Sequence, residues 1–244
     1  MKTLFYFLLF VCLGYQSCTP AEIPDTTNSL DLLCIQDFSA TEKGRPRLDS
    51  IVIYDIVQQW RETDDFLLRL SFLHVGQKKA APLVLELPAL SPLPSDQSLH
   101  YKTKLAQRTA ELTAVEQRLE RFYASYRTHF LDYQTTAGDD WSYVEEALLW
   151  SKKHLSSQTG HSVVAFATDF MQSTPDHPKS RLVDADKLRS LVDAASPDQL
   201  LLITDTDIES AFPTLQLDSL NYLLSWQELS TLPLFSTIKS KNYE

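Results

Sequence analysis

Apolar residues along the chain follow two patterns that alternate with each other. Short, nearly continuous apolar runs occur at residues 30–36, 161–168 and 199–204, as expected for strands that are buried on both faces. Apolar residues at three- and four-residue spacing predict helices over residues 46–60, 99–131, 141–155, 183–195 and 219–229. Strands that alternate with helices predict a three-layer α/β fold, with a doubly wound and mostly parallel sheet.

One pair of strands departs from the parallel pattern. Residues 65–75 alternate between apolar and polar, and residues 82–87 follow after a polar turn that contains Gly76. This arrangement predicts a hairpin and therefore one antiparallel strand at the edge of the sheet. Residues 172–180 carry no apolar period and are predicted to form a loop. The apolar stripe of the long helix at 99–131 is expected to pack on the sheet, the alternative being a partner-binding face.

The N-terminus has the pattern of a secretory signal. Lys2 precedes an apolar run from Leu4 to Leu13, which is too short to span a bilayer. The pair Ser17-Cys18 resembles the lipoprotein signal of Bacteroidetes-type bacteria, and this resemblance implies that Cys18 is acylated. The alternative is an ordinary cleaved signal with Cys18 incidental. We expect a signal peptide over residues 1–17, a lipidated tether over 18–28 and the folded domain over 29–244.

Charge and cysteine usage restrict the possible functions. The formal net charge of −10 argues against binding to nucleic acid or to anionic lipid. Of the three cysteines, Cys12 leaves with the signal peptide and Cys18 is the lipid site, so a cysteine-based metal or redox site is excluded. Cys34 is expected to be a small buried hydrophobe. The six histidines show no ligand spacing and are expected at surfaces or turns.

Hydroxyl and carboxyl side chains follow the ends of the predicted strands. Asp37-Phe38-Ser39-Ala40-Thr41 comes after the first strand, Thr168-Asp169 closes a later one, and Ser142 begins a helix five residues before Ala147. Ligands of open α/β sheets bind at the carboxyl ends of the strands. Two carboxylates and several hydroxyls at that edge suit Mg²⁺, a hard cation that prefers oxygen ligands. One coordination position would stay open for a carboxylate from another molecule.

These three motifs resemble the metal-ion-dependent adhesion site of von Willebrand factor A and integrin I domains. The predicted order of strands and helices over residues 29–236 also resembles that fold. The resemblance implies a Mg²⁺ or Mn²⁺ site whose ligands are Asp37, Ser39, Thr41, Ser142 and Asp169. The sequence differs from the family pattern at Tyr143, where the family has Asp. Thr135 or Thr136 is an alternative to Ser142 as the residue that supplies the hydroxyl ligand of this motif.

The expected function is metal-dependent protein binding, for adhesion or assembly, by a lipoprotein of the cell envelope. The partner would be another envelope protein that presents Asp or Glu, and the anchor would lie in the periplasm or outer membrane. We do not expect an enzyme. The alternatives are a metal-free scaffold of the same fold, or a phosphatase of the haloacid dehalogenase type that uses Asp205 and Asp207. Ser142 and Glu145 also fit a capping box, an alternative role for that serine.

Overall fold

A six-stranded sheet lies at the centre of the computed structural model. The structure describes residues 28–37, 48–63, 66–76, 81–96, 99–128, 141–157, 160–196, 199–204, 206–215, 221–223 and 225–235. The strands are Ser29–Gln36 (β1), Leu67–His74 (β2), Leu83–Leu87 (β3), His161–Ala167 (β4), Met171–Thr174 (β5), His177–Leu182 (β6), Leu200–Ile203 (β7) and Asn221–Leu223 (β8). The helices are Ser50–Arg61 (α1), Tyr101–Tyr126 (α2), Val144–Ser157 (α3), Ala185–Val192 (α4), Ile208–Ala211 (α5) and Trp226–Thr231 (α6).

The strand order confirms the predicted fold class. The order is β3-β2-β1-β4-β7-β8, and β5 and β6 form a separate two-stranded sheet. Strand β1 is parallel to both β2 and β4, β4 is parallel to β7, and β7 is parallel to β8. Strand β3 is antiparallel to β2, as the predicted hairpin requires. The chain winds from β1 towards β3 and then from β4 towards β8. The topological switch point therefore lies between β1 and β4.

Helices cover both faces of the sheet and produce two apolar cores. On β1, Leu32 and Cys34 point into the core formed with α1, α2 and α6, whereas Leu33 and Ile35 point into the core formed with α3, α4 and α5. Alternation on one strand places successive side chains on opposite faces. Cys34 is 1% exposed, which confirms it as a small buried residue, and burial raises the pKa of its thiol.

The two helices that flank the first core begin and pack for identifiable reasons. Asp49 is the N-cap of α1, because its side chain accepts from the amides of Ile51 and Val52 at 2.9 and 3.1 Å. The stripe of α2 packs on its own domain, as expected, and the Phe72 ring lies 5.5 Å from that of Phe122. Within the described ranges, no helix is long and apolar enough to cross a membrane.

Two sequence predictions were wrong at the level of elements. Residues 171–182 form the β5–β6 hairpin rather than a loop. The predicted last helix at 219–229 is instead the short strand β8 followed by α6. The long helix predicted at 99–131 is found as Tyr101–Tyr126.

Several predictions lie outside the described residues. They concern the signal peptide, the tether, Cys18, Ser39, Thr41, Thr135, Thr136 and Asp205.

Candidate functional site

Asp37 and Thr168 lie side by side at the switch point of the sheet. Asp37 directly follows β1 and Thr168 directly follows β4, and these strands are neighbours. The Asp37 amide donates to the Ala167 carbonyl at 2.9 Å, which extends the strand pairing by one residue. Both side chains are buried, at 1% and 0% exposed. The carboxyl ends of adjacent parallel strands therefore place a buried carboxylate and a buried hydroxyl together at one edge of the sheet, here called the rim.

Two hydroxyl groups converge on the Asp37 carboxylate. Ser142 Oγ donates to Asp37 Oδ2 at 2.8 Å, and Thr168 Oγ1 donates to the same oxygen at 3.3 Å. Ser142 precedes α3 and is itself 2% exposed. The three stretches that the sequence singled out thus meet in space. Thr168 was noted in the sequence only as the partner of Asp169 in a motif, and its bond to Asp37 was not anticipated.

Backbone hydrogen bonds fix the position of Ser142. Ser142 and Ser173 exchange two bonds, with Ser142 N donating at 2.8 Å and Ser173 N donating at 3.1 Å. The Tyr143 amide donates to the Val75 carbonyl at 2.9 Å, which ties the start of α3 to the end of β2. The segment that carries the hydroxyl is therefore held from both sides by strands.

The capping-box interpretation of Ser142 is not what the structure shows. In a capping box the serine oxygen would accept from the Glu145 amide. That amide donates instead to Oε1 of Gln172 at 2.8 Å, while the Ser142 hydroxyl is directed to Asp37. The Glu145 carboxylate is bonded to Arg181 and Lys187. The first turn of α3 is capped by Gln172 of β5. The Ser142 hydroxyl is therefore free of a capping role and donates to Asp37.

Asp169 sits next to the cluster in a tight turn. Its Oδ1 accepts from the Met171 amide at 2.7 Å, and its carbonyl accepts from Thr206 Oγ1 at 3.2 Å. Phe170 has a φ of 61°, an uncommon value for a residue with a side chain, and its buried ring contacts those of Phe166 and Phe212. Among the described contacts, the Asp169 carboxylate bonds to this turn and not to Asp37 or Ser142.

The donor atoms at the rim are oxygens. Carboxylate and hydroxyl oxygens are the ligands that Mg²⁺ and Mn²⁺ prefer, so the chemistry of these side chains suits such an ion. Within the described residues, no group of three or more His, Cys, Asp or Glu is placed to hold a metal. The predicted set has two carboxylates, Asp37 and Asp169, and its other ligands are hydroxyls. Ser39 and Thr41, which belong to that set, lie outside the described residues.

Two cavities lie away from Asp37. One of about 450 Å³ lies between α1 and α2, where Ile51, Tyr54 and Tyr123 make its wall largely apolar. Another of about 280 Å³ lies between α3 and the β5–β6 hairpin and is lined in part by Glu146 and Asp176. None of the described lining residues of either cavity is Asp37, Ser142 or Asp169. The candidate site is therefore a set of groups at the sheet rim, separate from both cavities.

A second buried carboxylate occurs at the other end of β1. Asp31 Oδ1 lies 3.4 Å from His154 Nε2, and Asp31 Oδ2 lies 4.0 Å from Arg69 Nη1. The His154 side chain is 11% exposed, so the expectation that this histidine has a surface role was wrong. Asp31 belongs to the same strand as the candidate site but points to a different set of partners.

Comparison with solved structures shows weak structural similarity. No protein-family model matches the sequence, and no curated protein matches it. Among solved structures, the crystal structure of the TFIIH p34 N-terminal domain is similar to this chain with a TM-score of 0.36 and 12% sequence identity. The similarity covers 87% of this chain and 99% of that domain. These values assign the chain to no family.

Proposed function

We propose that this chain is a protein-binding module that uses a divalent cation, Mg²⁺ or Mn²⁺, to capture a carboxylate of a partner protein. The observation that supports it is the convergence of the Ser142 and Thr168 hydroxyls on one oxygen of Asp37. This convergence occurs at the topological switch point, where open α/β sheets bind their ligands. Asp37, Ser39, Thr41, Ser142 and Asp169 are the proposed ligands of the ion.

Ser142 and Asp169 each keep an oxygen lone pair that could bind an ion. A serine hydroxyl has one hydrogen to donate and two acceptor positions. Ser142 donates that hydrogen to Asp37, so its oxygen remains an acceptor and is able to serve as a metal ligand. Asp169 uses Oδ1 for the Met171 amide, which leaves its second oxygen for the ion or for a water on the ion. Two carboxylates balance the charge of a divalent cation.

A partner with an exposed Asp or Glu would complete the coordination of the ion. An ion held by several neutral oxygens remains electrophilic, and a carboxylate is a good ligand for an open position. In this proposal the chain is a lipoprotein of the cell envelope, anchored at Cys18 on the periplasmic side or at the outer membrane, and its partner is another envelope protein. The negative net charge of −10 argues against nucleic acid as the partner.

Metal titration of purified variants tests the proposal. We expect wild-type protein to show binding heat and a higher thermal midpoint with Mg²⁺ or Mn²⁺. Asp37→Asn should abolish both, and Ser142→Ala should weaken binding by at least about tenfold. Ser151→Ala is the matched control, because Ser151 is a fully buried serine on α3, the helix that Ser142 precedes, and its hydroxyl donates to the Ala147 carbonyl instead. That variant should bind like the wild type.

Two other outcomes would favour the alternatives. If wild-type protein gives neither heat nor a shift in thermal midpoint with either ion, the chain is a metal-free scaffold. If it hydrolyses a phosphate ester and Asp205→Asn abolishes that turnover, the phosphatase interpretation is correct.

Co-purification of an envelope protein in Mg²⁺ but not in chelator would support the binding function, and equal recovery under both conditions would contradict its dependence on metal.

A further inference from the structure

We infer that Glu145 is a positioning residue for the candidate metal site. It fastens the β5–β6 hairpin to α3 and thereby sets the position of Ser142 relative to Asp169. This inference rests on the proposed function, since it concerns the same ion. Glu145 has no direct contact with Asp37 among the described bonds and would act through the hairpin.

The hairpin joins the two proposed ligands through the backbone. Asp169 is followed directly by Phe170 and then by β5. Strand β5 passes the start of α3, where Ser173 and Ser142 exchange two backbone hydrogen bonds at 2.8 and 3.1 Å. The Asp169 carboxylate itself accepts from the amide of Met171, the first residue of β5. Displacement of β5 would therefore move a hydroxyl and a carboxylate of the site together.

Gln172 supplies a second attachment between the hairpin and α3. Its Oε1 accepts from the Glu145 amide at 2.8 Å, and Gln172 is 8% exposed. The first amides of a helix have no partner within the helix, so a side-chain acceptor at this position stabilises the first turn. Here the acceptor comes from a different element. The start of α3 and β5 consequently depend on each other for hydrogen bonding.

The Glu145 carboxylate closes the arrangement from the far side of the hairpin. It accepts from Arg181 Nη2 on β6 at 3.0 Å, from the Asp184 amide at 3.3 Å and from Lys187 Nζ on α4. Its side chain is 9% exposed. Burial opposes its ionisation, but the Lys187 and Asp184 hydrogen bonds and the charges of Lys187 and Arg181 outweigh burial and lower the pKa of Glu145. The ionised carboxylate therefore links β6 and α4 to α3.

The test compares Mg²⁺ affinity among full-length variants by calorimetry. We expect Glu145→Gln to weaken Mg²⁺ binding about tenfold, the range seen when groups that orient metal ligands are removed. Gln172→Ala changes no charge and should weaken binding in the same direction. Glu146→Gln is the control for lost charge, because Glu146 is the next residue on α3 and, among the described contacts, its side chain makes no hydrogen bond or ion pair with the hairpin. It should bind within twofold of wild type.

A stability control separates positioning from general destabilisation. Gly160→Ala perturbs the sheet at the opposite edge and should lower the thermal midpoint without changing Mg²⁺ affinity. If wild type binds Mg²⁺ while Glu145→Gln and Gln172→Ala both bind within twofold of it, the positioning role is overturned and the proposed function stands. If Glu145→Gln and Glu146→Gln weaken binding equally, loss of charge is the cause and the inference is again wrong. No Mg²⁺ binding by wild type would overturn both proposals.

Discussion

Single buried carboxylates in this chain differ in what surrounds them. Asp37 receives two hydroxyl donors at one oxygen. Asp31 has instead two basic side chains at longer distance, His154 at 3.4 Å and Arg69 at 4.0 Å. Burial raises the pKa of Asp31 above its usual value of 3.8, while His154 and Arg69 oppose this and Glu86 adds to it. The ionised form of Asp31 is therefore disfavoured by folding.

Replacement of Asp31 by Asn should change the pH dependence of stability in a defined direction. Because the pKa in the folded state is raised, Asp31 contributes its full stability below about pH 3.8 and loses it as pH rises through the folded-state pKa. The stability of Asp31→Asn relative to wild type should therefore increase as pH rises above 3.8. Urea unfolding at a series of pH values measures this difference. The exposed Asp96→Asn variant is the control, and parallel profiles for Asp31→Asn and wild type would contradict the prediction.

The convergence at the rim was predictable from the sequence, whereas the supporting contacts were not. Parallel strands that are buried on both faces are recognisable in the sequence as apolar runs, and their carboxyl ends share one edge of the sheet. Asp37 and Ser142 were therefore expected near each other. The spacing of Ser142 and Glu145 fitted a local capping box equally well. Only the tertiary position of β5 decides between the two, because Gln172 occupies the Glu145 amide.

At the level of elements, the error at residues 171–182 falls where a strand carries few apolar residues. Strand β6 is mostly exposed and contains Pro178, Lys179 and Arg181, so it shows no apolar alternation. The dipeptide Pro175-Asp176 marks its turn and was the available signal. Strand β1, which is buried along nearly its whole length, was placed correctly. The pattern of apolar residues indicates which elements are buried. It does not predict an exposed strand that hydrogen bonds and ion pairs hold in place.

The pairing of β1 with β4 depends on a glycine at its start. Leu30 pairs with His161, so Gly160 lies beside Ser29. A Cβ at residue 160 would lie 1.9 Å from Ser29 Oγ and 3.0 Å from the Ser29 carbonyl oxygen. Gly160→Ala should therefore lower the free energy of unfolding by about 1–3 kcal/mol, as overpacking does. Denaturant unfolding measures the loss.

The double variant identifies the clash at Gly160. Ser29→Gly removes the hydroxyl and leaves the carbonyl contact, so the pair of changes should recover part of the stability lost by Gly160→Ala. A double-mutant cycle over the four proteins gives the coupling between the two positions. Additive effects of the two changes would show that the close approach does not limit stability. A Gly160→Ala variant as stable as wild type would show the same.

At the scale of the whole molecule, the candidate site lies at the opposite end of β1 from Ser29, where the proposed tether would join. Ser29 begins β1 and Asp37 follows its end, and the strand has eight residues. At roughly 3.3 Å per residue, the eight steps from Ser29 to Asp37 separate these two residues by about 26 Å. The proposed tether at residues 18–28 reaches the domain at the Ser29 end. An anchor at Cys18 would therefore join the domain at the end of β1 that lies farther from Asp37.

The anchor itself is testable because lipid and charge respond differently to salt. Acyl chains hold a protein through buried CH₂ groups, whereas attraction between charges weakens as ionic strength rises. The net charge of −10 argues against electrostatic attachment to anionic lipid. We therefore expect wild-type protein to stay in the membrane fraction through a high-salt wash, to be released by detergent and to incorporate a labelled fatty acid. Cys18→Ser should be soluble and unlabelled, while Cys34→Ala should remain labelled, because Cys34 is buried in the core. Membrane retention of unlabelled Cys18→Ser protein would show that the chain is attached by other means.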